Sequence, residues 1–141
     1  MREIKFRVWD KIHNRMFPVS CMALFNEGKV NVYIDGEQRI SDINNTLFSH
    51  DLELMQFTGL FDKNGKEIWE GDIIECWHEG DFNATRQTCY VSYGDGFWQL
   101  DFGSQTFPFG DEKFSEFEVI GNIYENPELL NSAYENNKAG A

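Results

Sequence analysis

Apolar and polar positions alternate in short runs along most of this chain, and that alternation predicts strands. Ile4, Phe6 and Val8 alternate with Lys5, Arg7 and Trp9, the period of two expected of a half-buried strand. Asp10 to Arg15 reads as a polar turn. Met16 to Phe25 forms a second apolar strand, with Pro18 placed at an edge or a bulge because it has no N–H to give a ladder. Asn26-Glu27-Gly28-Lys29 turns the chain into a strand at Val30 to Ile34, which Asp35-Gly36 closes. Residues 37–50 are polar, with Ile40, Ile43, Leu47 and Phe48 near helical spacing, and read as a loop holding one helical turn.

Glu53 to Phe57 suits an extended segment that Thr58-Gly59-Leu60 breaks. In the turn from Asp62 to Lys66, Asn64-Gly65 supplies the two positive-φ residues of a type I′ reversal. Strands 72–79 and 86–93 flank the polar loop Gly80 to Thr85. A symmetric loop sets Glu79 opposite Arg86, Cys76 opposite Cys89 and Ile74 opposite Val91, a register with one ion pair and two apolar pairs. Tyr93 to Phe97 is a tight reversal into Trp98 to Phe102, and Gly103 to Lys113 is an irregular loop holding Phe107, Pro108 and Phe109. Phe114 to Val119 leads into a last strand, Val119 to Tyr124. A short helix starts at Asn126-Pro127-Glu128, where Asn caps free N–H groups, Pro suits the first helical position and Glu complements the positive dipole end. Asn136 to Ala141 has no apolar anchor and frays.

Short strands separated by glycine turns indicate a small β-barrel or a sandwich, and the pattern leaves both open. Thirteen phenylalanines strengthen the preference for sheets over helical bundles. At 141 residues the chain is one domain with room for an appended lobe, and large enough to fold without metal or disulfide. A net charge of −12, with 12 basic against 24 acidic residues, argues against a phosphate-binding surface and steers the protein toward basic partners. No apolar run approaches a membrane span, and Met1 to Arg7 lacks the apolar stretch of a signal peptide, which predicts a cytoplasmic protein. Three cysteines without a CxxC pair fit a reducing compartment.

Three blocks carry a family resemblance. They are Arg2-Glu3-Ile4-Lys5-Phe6-Arg7 with Trp9-Asp10, the stretch from Met55 through Asp62-Lys63-Asn64-Gly65-Lys66 to Glu70-Gly71-Asp72-Ile73, and Val119 to Leu130. In this order they resemble the YopX protein family of bacterial phages and prophages, over residues 1 to about 130. The resemblance implies a mainly β protein with a β-rich N-terminal part (1–50) and an SH3-like small barrel (51–130), to which the residues themselves add a short C-terminal helix and a flexible tail (131–141). In such barrels a strand opening like Gly71-Asp72-Ile73 uses the glycine to bend and the carboxylate to accept backbone N–H groups. The resemblance brings no catalytic residues with it.

Four constellations carry candidate chemistry. Cys76 and His78 share a strand face with Cys89 opposite, but zinc takes four ligands and no fourth is evident, so core packing is expected. Thiol catalysis needs a base and a thiolate-favouring environment, which Cys21, Cys76 and Cys89 lack. Asp62, Glu67, Glu70 and Asp72, with Asp95, Asp101, Asp111 and Glu112, could pair as hydrolytic or magnesium-binding carboxylates, although turns recruit Asp by default. Trp69, Trp77, Tyr90 and Trp98, with Asp81 and Asp95 in adjoining loops, offer an aromatic face with an acidic rim for a protein partner, against the alternative that large aromatics fill the core.

The function expected is a non-enzymatic module that binds a host or phage protein, with no cofactor, no metal, no direct nucleic-acid contact and no membrane. Exposed sheet edges leave a homo-oligomer open. The rivals are an acidic DNA mimic that inhibits a DNA-binding protein, and a metal-dependent hydrolase or nuclease built on the acidic turns.

Overall fold

The structure, a computed structural model, describes residues 2–24, 30–34, 37–42, 52–80 and 84–132. It divides into two compact units, Met1–Phe57 and Thr58–Ala141. The turns at 26–29 and 35–36, segment 43–50, the middle of the 80–85 loop and the tail from 133 onward lie outside the described residues.

In the first unit β1 (Phe6–Asp10) lies between β2 (Arg15–Leu24) and the start of β5 (Leu52–Phe61), with β3 (Val30–Ile34) and β4 (Glu37–Asp42) continuing outward from β2. All pairings are antiparallel, Val8 standing opposite Phe17 on one side and Leu54 on the other. The alternation expected at the N-terminus ends early. Ile4 is exposed, whereas Val8, Trp9 and Asp10 are all buried in a strand flanked by β2 and β5. Pro18 faces Arg7 in the β1–β2 ladder and stands one residue beyond the described β2–β3 pairs, whose register shifts between Val19 and Cys21. Residues 37–42, expected in a loop, form β4 instead, because a polar strand at a sheet edge needs no apolar periodicity.

The second unit is built on a five-stranded antiparallel sheet in the order β10-β9-β8-β7-β11. Its strands are β7 (Asp72–Glu79), β8 (Ala84–Gly94), β9 (Phe97–Asp101), β10 (Thr106–Pro108) and β11 (Phe114–Asn122). The supposed loop from Gly103 to Lys113 therefore contains a strand, with Phe107 opposite Leu100. β10 and β11 are the sheet's edges, and no closed barrel forms among the described residues. Ile74, Cys76, Cys89, Val91, Leu100, Phe102 and Phe114 make the core with Ile68 of β6 (Glu67–Trp69). The rings of Phe102, Phe107 and Phe114 meet at 5.1–5.9 Å, one pair edge-on, one stacked and one tilted.

Three expected details change. The Thr58-Gly59-Leu60 break is absorbed inside β5: Gly59 takes φ 84°, while Thr58 Oγ1 donates to the Ile68 carbonyl at 2.6 Å and accepts the Leu60 N–H at 3.1 Å. The β7–β8 register slips by two residues, so that Cys76 faces Gln87, Ile74 faces Cys89 and Trp77 faces Arg86. A two-residue slip keeps every side chain on its face, so the apolar pattern alone could not detect it. Asn64 has no positive φ. Only Gly65 does, at 80°, and the turn is organised by Asp62, whose Oδ1 accepts N–H bonds from Asn64 (2.9 Å) and Lys66 (2.8 Å).

The C-terminal end is set by asparagines. Asn122 Oδ1 accepts from Tyr124 and Glu125 N–H, and the short helix over 127–132 follows. Asn126 does not cap that helix with its side chain; its Oδ1 turns back to accept the Asn122 N–H at 3.3 Å. A Cβ on Gly121 would lie 2.5 Å from that same oxygen. Among the described residues no helix is long and apolar enough to cross a membrane.

Two measurements test this fold. Gly121→Ala is expected to lower stability by about 1–3 kcal/mol, since something must shift to admit the methyl group; Gly110→Ala, with open space around it, serves as the neutral control. Burial works against the Asp62 charge, but the Val119, Lys66 and Asn64 N–H groups and the Lys66 ammonium outweigh it, holding the carboxyl below its ordinary value of 3.8. A depressed folded-state value contributes stability that is present above pH 3.8 and lost as pH falls through the lower value. Asp62→Asn should therefore show a reduced urea midpoint at neutral pH, with the gap to the wild type narrowing in acid. A gap of constant size would rule out the charge as its source.

Candidate functional site

The sheet's pleat decides which aromatics can meet a partner. Ile74 and Cys76 of β7 face the core with Cys89 and Val91 of β8 and Leu100 of β9. The alternate positions, Glu75 and Trp77 on β7 with Arg86, Thr88 and Tyr90 on β8, face the other way. Trp77 and Tyr90 therefore share the outward face. Tyr90 stands opposite Ile73, four residues along β7 from Trp77, which separates the two by roughly 13 Å at the usual strand rise. Trp98 lies on the inner face, half-buried against the core cluster. Trp69 is half-buried on β6, with its N–H donating to Asp72 Oδ2 at 2.8 Å. Asp95 is exposed in the β8–β9 turn, and Asp81 lies outside the described residues. The five described residues thus occupy separate places and do not converge.

Two groupings emerge that were not among the expected sites. The first is on the outward face. Arg86, opposite Trp77, reaches Glu75 Oε2 through Nε (3.2 Å) and Glu118 Oε2 through Nη2 (3.1 Å), while Lys63 Nζ approaches the same Glu118 oxygen at 3.4 Å. Arg86 therefore pairs with Glu75 and Glu118 in place of the expected Glu79. The network leaves Trp77, 39% exposed, beside a band of paired charge.

The second grouping is the β8–β9 hairpin. Gly94 faces Phe97 and Tyr93 faces Trp98, with Asp95 at φ 53° and Gly96 at φ 88° between them. Two consecutive positive-φ residues make a type I′ turn, the Asp-Gly form that matches the twist of the flanking strands. Tyr93 packs edge-on against Trp98, ring centroids 5.0 Å apart, yet is 59% exposed, and Phe97 is 42% exposed. The reversal itself was expected from the sequence; the exposure of Tyr93 and Phe97 beside it was not.

The other candidates are structural in this arrangement. Asp62 directs Oδ1 to the Asn64 and Lys66 N–H groups and Oδ2 to that of Val119 (3.0 Å). Asp72 is buried and holds the Trp69 N–H. His78 stacks on Phe114 at 5.0 Å, and no group of three or more His, Cys, Asp or Glu side chains gathers as a metal cluster among the described residues. Cys76 and Cys89, diagonal across β7 and β8, are fully buried. The hydrogen bond between them and their burial push the Cys89 thiol well up, while Cys89's donation draws Cys76 down against its own burial. Cys21 is exposed. In the first unit, buried Asp10 accepts from the Ile12 and His13 N–H groups and lies 2.7 Å from His13 Nδ1, an arrangement that pins the β1–β2 turn.

Comparison with known proteins places these features in a family. A sequence profile of the family described as YopX protein matches residues 5–131. A relative described as SPbeta prophage-derived uncharacterized protein YopX, from Bacillus subtilis strain 168, is 31% identical over 71 residues, covering 47% of this chain and 52% of that protein. The chain thus spans about half the length of that relative. The crystal structure of protein EF1440 from Enterococcus faecalis aligns with a TM-score of 0.59 at 28% identity, covering 92% of this chain and 99% of that chain. The crystal structure of protein yopX from Bacillus subtilis aligns with a TM-score of 0.63 at 22% identity, over 92% and 98% of the two chains, a likeness of fold.

The cysteine assignments are checked by thiol titration. The native protein should react with Ellman's reagent at Cys21 alone, and the Cys21→Ser variant should be inert until denatured, when Cys76 and Cys89 become reactive. Rapid reaction of native Cys21→Ser would overturn the packing role of the buried pair.

Proposed function

This chain belongs to the YopX protein family, and from that premise we propose that it is a non-enzymatic, cytoplasmic accessory protein of prophage origin that works by binding another protein. The observation that carries this reading is the exposure of Trp77, Tyr93 and Phe97 on hydrogen-bonded antiparallel strands. Trp and Tyr are the anchors on which protein interfaces most depend, and rings already held by a sheet lose little freedom on binding. We further read the second unit as an SH3-like arrangement. Gly71, at φ 84°, bends the chain into β7, and the Asp72 carboxylate accepts a backbone N–H at that bend, as such strand openings require.

The rival readings fare less well against the same geometry. A phosphate-mimicking surface needs rows of free carboxylates, and Glu75 and Glu118 are instead tied to Arg86 and Lys63. A hydrolytic site needs carboxylates aimed at a cleft, and Asp62 directs both oxygens to backbone N–H groups.

Affinity capture from bacterial host lysate, at low and high salt, tests the proposal when followed by direct binding of the captured protein to the purified chain. A single protein retained at both salts and bound directly would support it. Basic DNA-binding proteins released at high salt would favour the mimic instead, because screening removes charge pairing. Failure of any captured protein to bind directly would sink the binding role.

A further inference from the structure

Resting on that protein-binding reading, we propose that the β8–β9 hairpin tip, from Tyr93 to Trp98, is the contact element, and that it inserts into an apolar pocket rimmed by Lys and Arg on the partner protein. Three independent features of the tip converge. It exposes apolar surface on both sides, Tyr93 projecting from the inner face and Phe97 from the outer, where its cross-strand neighbour Gly94 has no side chain to cover it. It is also pre-organised. The Asp95-Gly96 turn adopts its positive-φ pair without distorting the strands, and Gln99 Nε2 donates to the Gly94 carbonyl at 3.1 Å. Behind it, Trp98 holds the Tyr93 ring edge-on and its carbonyl accepts the Phe109 N–H at 3.0 Å. Such a finger has little conformational entropy left to lose on docking.

Charge selects the occupant. From Gln87 to Glu112 the chain has no lysine, arginine or histidine, while Asp95, Asp101, Asp111 and Glu112 are all acidic. Elsewhere in the unit Glu75 and Glu118 are paired with Arg86 and Lys63, whereas among the described residues no ion pair holds the exposed Asp95 at the tip. A pocket whose apolar floor receives two rings and whose rim carries Lys or Arg complements that pattern. Nucleic acid would stack on the rings but would bring its phosphates against acids. A second copy of this chain would bring the same carboxylates and a net charge of −12.

Site-specific photo-crosslinking in host cells distinguishes these occupants, with p-benzoylphenylalanine placed at position 93, 97 or 77 of the full chain. The expected result is one protein adduct formed from positions 93 and 97, its crosslinked residues lining an apolar pocket flanked by Lys or Arg. The purified partner should then bind the chain at least about tenfold more weakly when Tyr93 and Phe97 are both changed to Ser. Asp95→Asn, which keeps the Asx-Gly turn, separates charge from shape and should weaken binding most at low salt. Unchanged urea midpoints for these variants would exclude misfolding as the cause. Adducts from position 77 alone would overturn the tip while leaving the protein-binding role intact. Adducts to nucleic acid or to a second copy would overturn the occupant, and no adduct from any position would overturn both this proposal and the reading beneath it.

Discussion

The second unit depends on a single carboxylate. Asp62 is nearly buried, and a charged group in that position survives only if its oxygens are fully engaged. It meets the condition by gathering the Asn64, Lys66 and Val119 N–H groups, the last from 57 residues away. The Lys63 N–H adds a bond to the Phe117 carbonyl beside it. Together these bonds tie the turn after β5 to the outer edge of β11, so that a side-chain oxygen stands where a neighbouring strand would otherwise pair. That contact explains two irregularities at once. β11 can keep a register shift between Ser115 and Glu118, with Glu116 strained at φ 56°, because the backbone groups the shift displaces find partners in the turn. The strand edge is also blunted against chance pairing with another sheet.

Aromatic side chains then divide the remaining labour by face. Phe102, Phe107 and Phe114 pack ring against ring inside the sheet, and His78 is drawn into the same stack. Phe109 meets Phe117 at 4.8 Å, linking the strands on the two edges through side chains where no ladder joins them. With that many rings inside, the exposure of Trp77, Tyr93 and Phe97 is not a shortage of room for apolar groups to hide in. It follows from the pleat: Trp77 and Phe97 point outward, and Tyr93 belongs to the last inward pair, at the tip of the hairpin.

Much of the architecture was legible in the alternation of side chains. The strands at 30–34, 72–79 and 97–101, the hairpin at 93–97 and the helix start at Pro127 all follow from period-two patterning and turn chemistry. What escaped was decided in part by distance. In the β7–β8 register that forms, two residues from the symmetric one, Arg86 meets carboxylates on β7 and β11, Glu75 and Glu118, and the second is 32 residues away in sequence. The aromatic face dissolved even though the expected register already paired odd positions with even ones. That places Trp77 with Tyr90 outside and sends Trp98 inward with Tyr93. Asn126 looked like a helix cap, but Gly121 leaves room for its side chain to turn back on the preceding strand.

The two Gly-containing turns show how one sequence signal yields two physical outcomes. Asn64-Gly65 and Asp95-Gly96 both invite a type I′ reversal. Only the second adopts it, with positive φ at both residues. In the first, Asp62 lies two residues ahead of Asn64 and supplies an acceptor that holds the turn in another geometry, so the segment becomes bound into the fold. Around the second, the residue two positions ahead of Asp95 is Tyr93, which has no carboxylate to offer and rests its ring on Trp98 instead. The backbone there is fixed by its own dihedral preferences, and the side chains are left outside. A turn held by a buried acceptor serves the interior; a turn that holds itself can be rigid and still present its rings to another molecule.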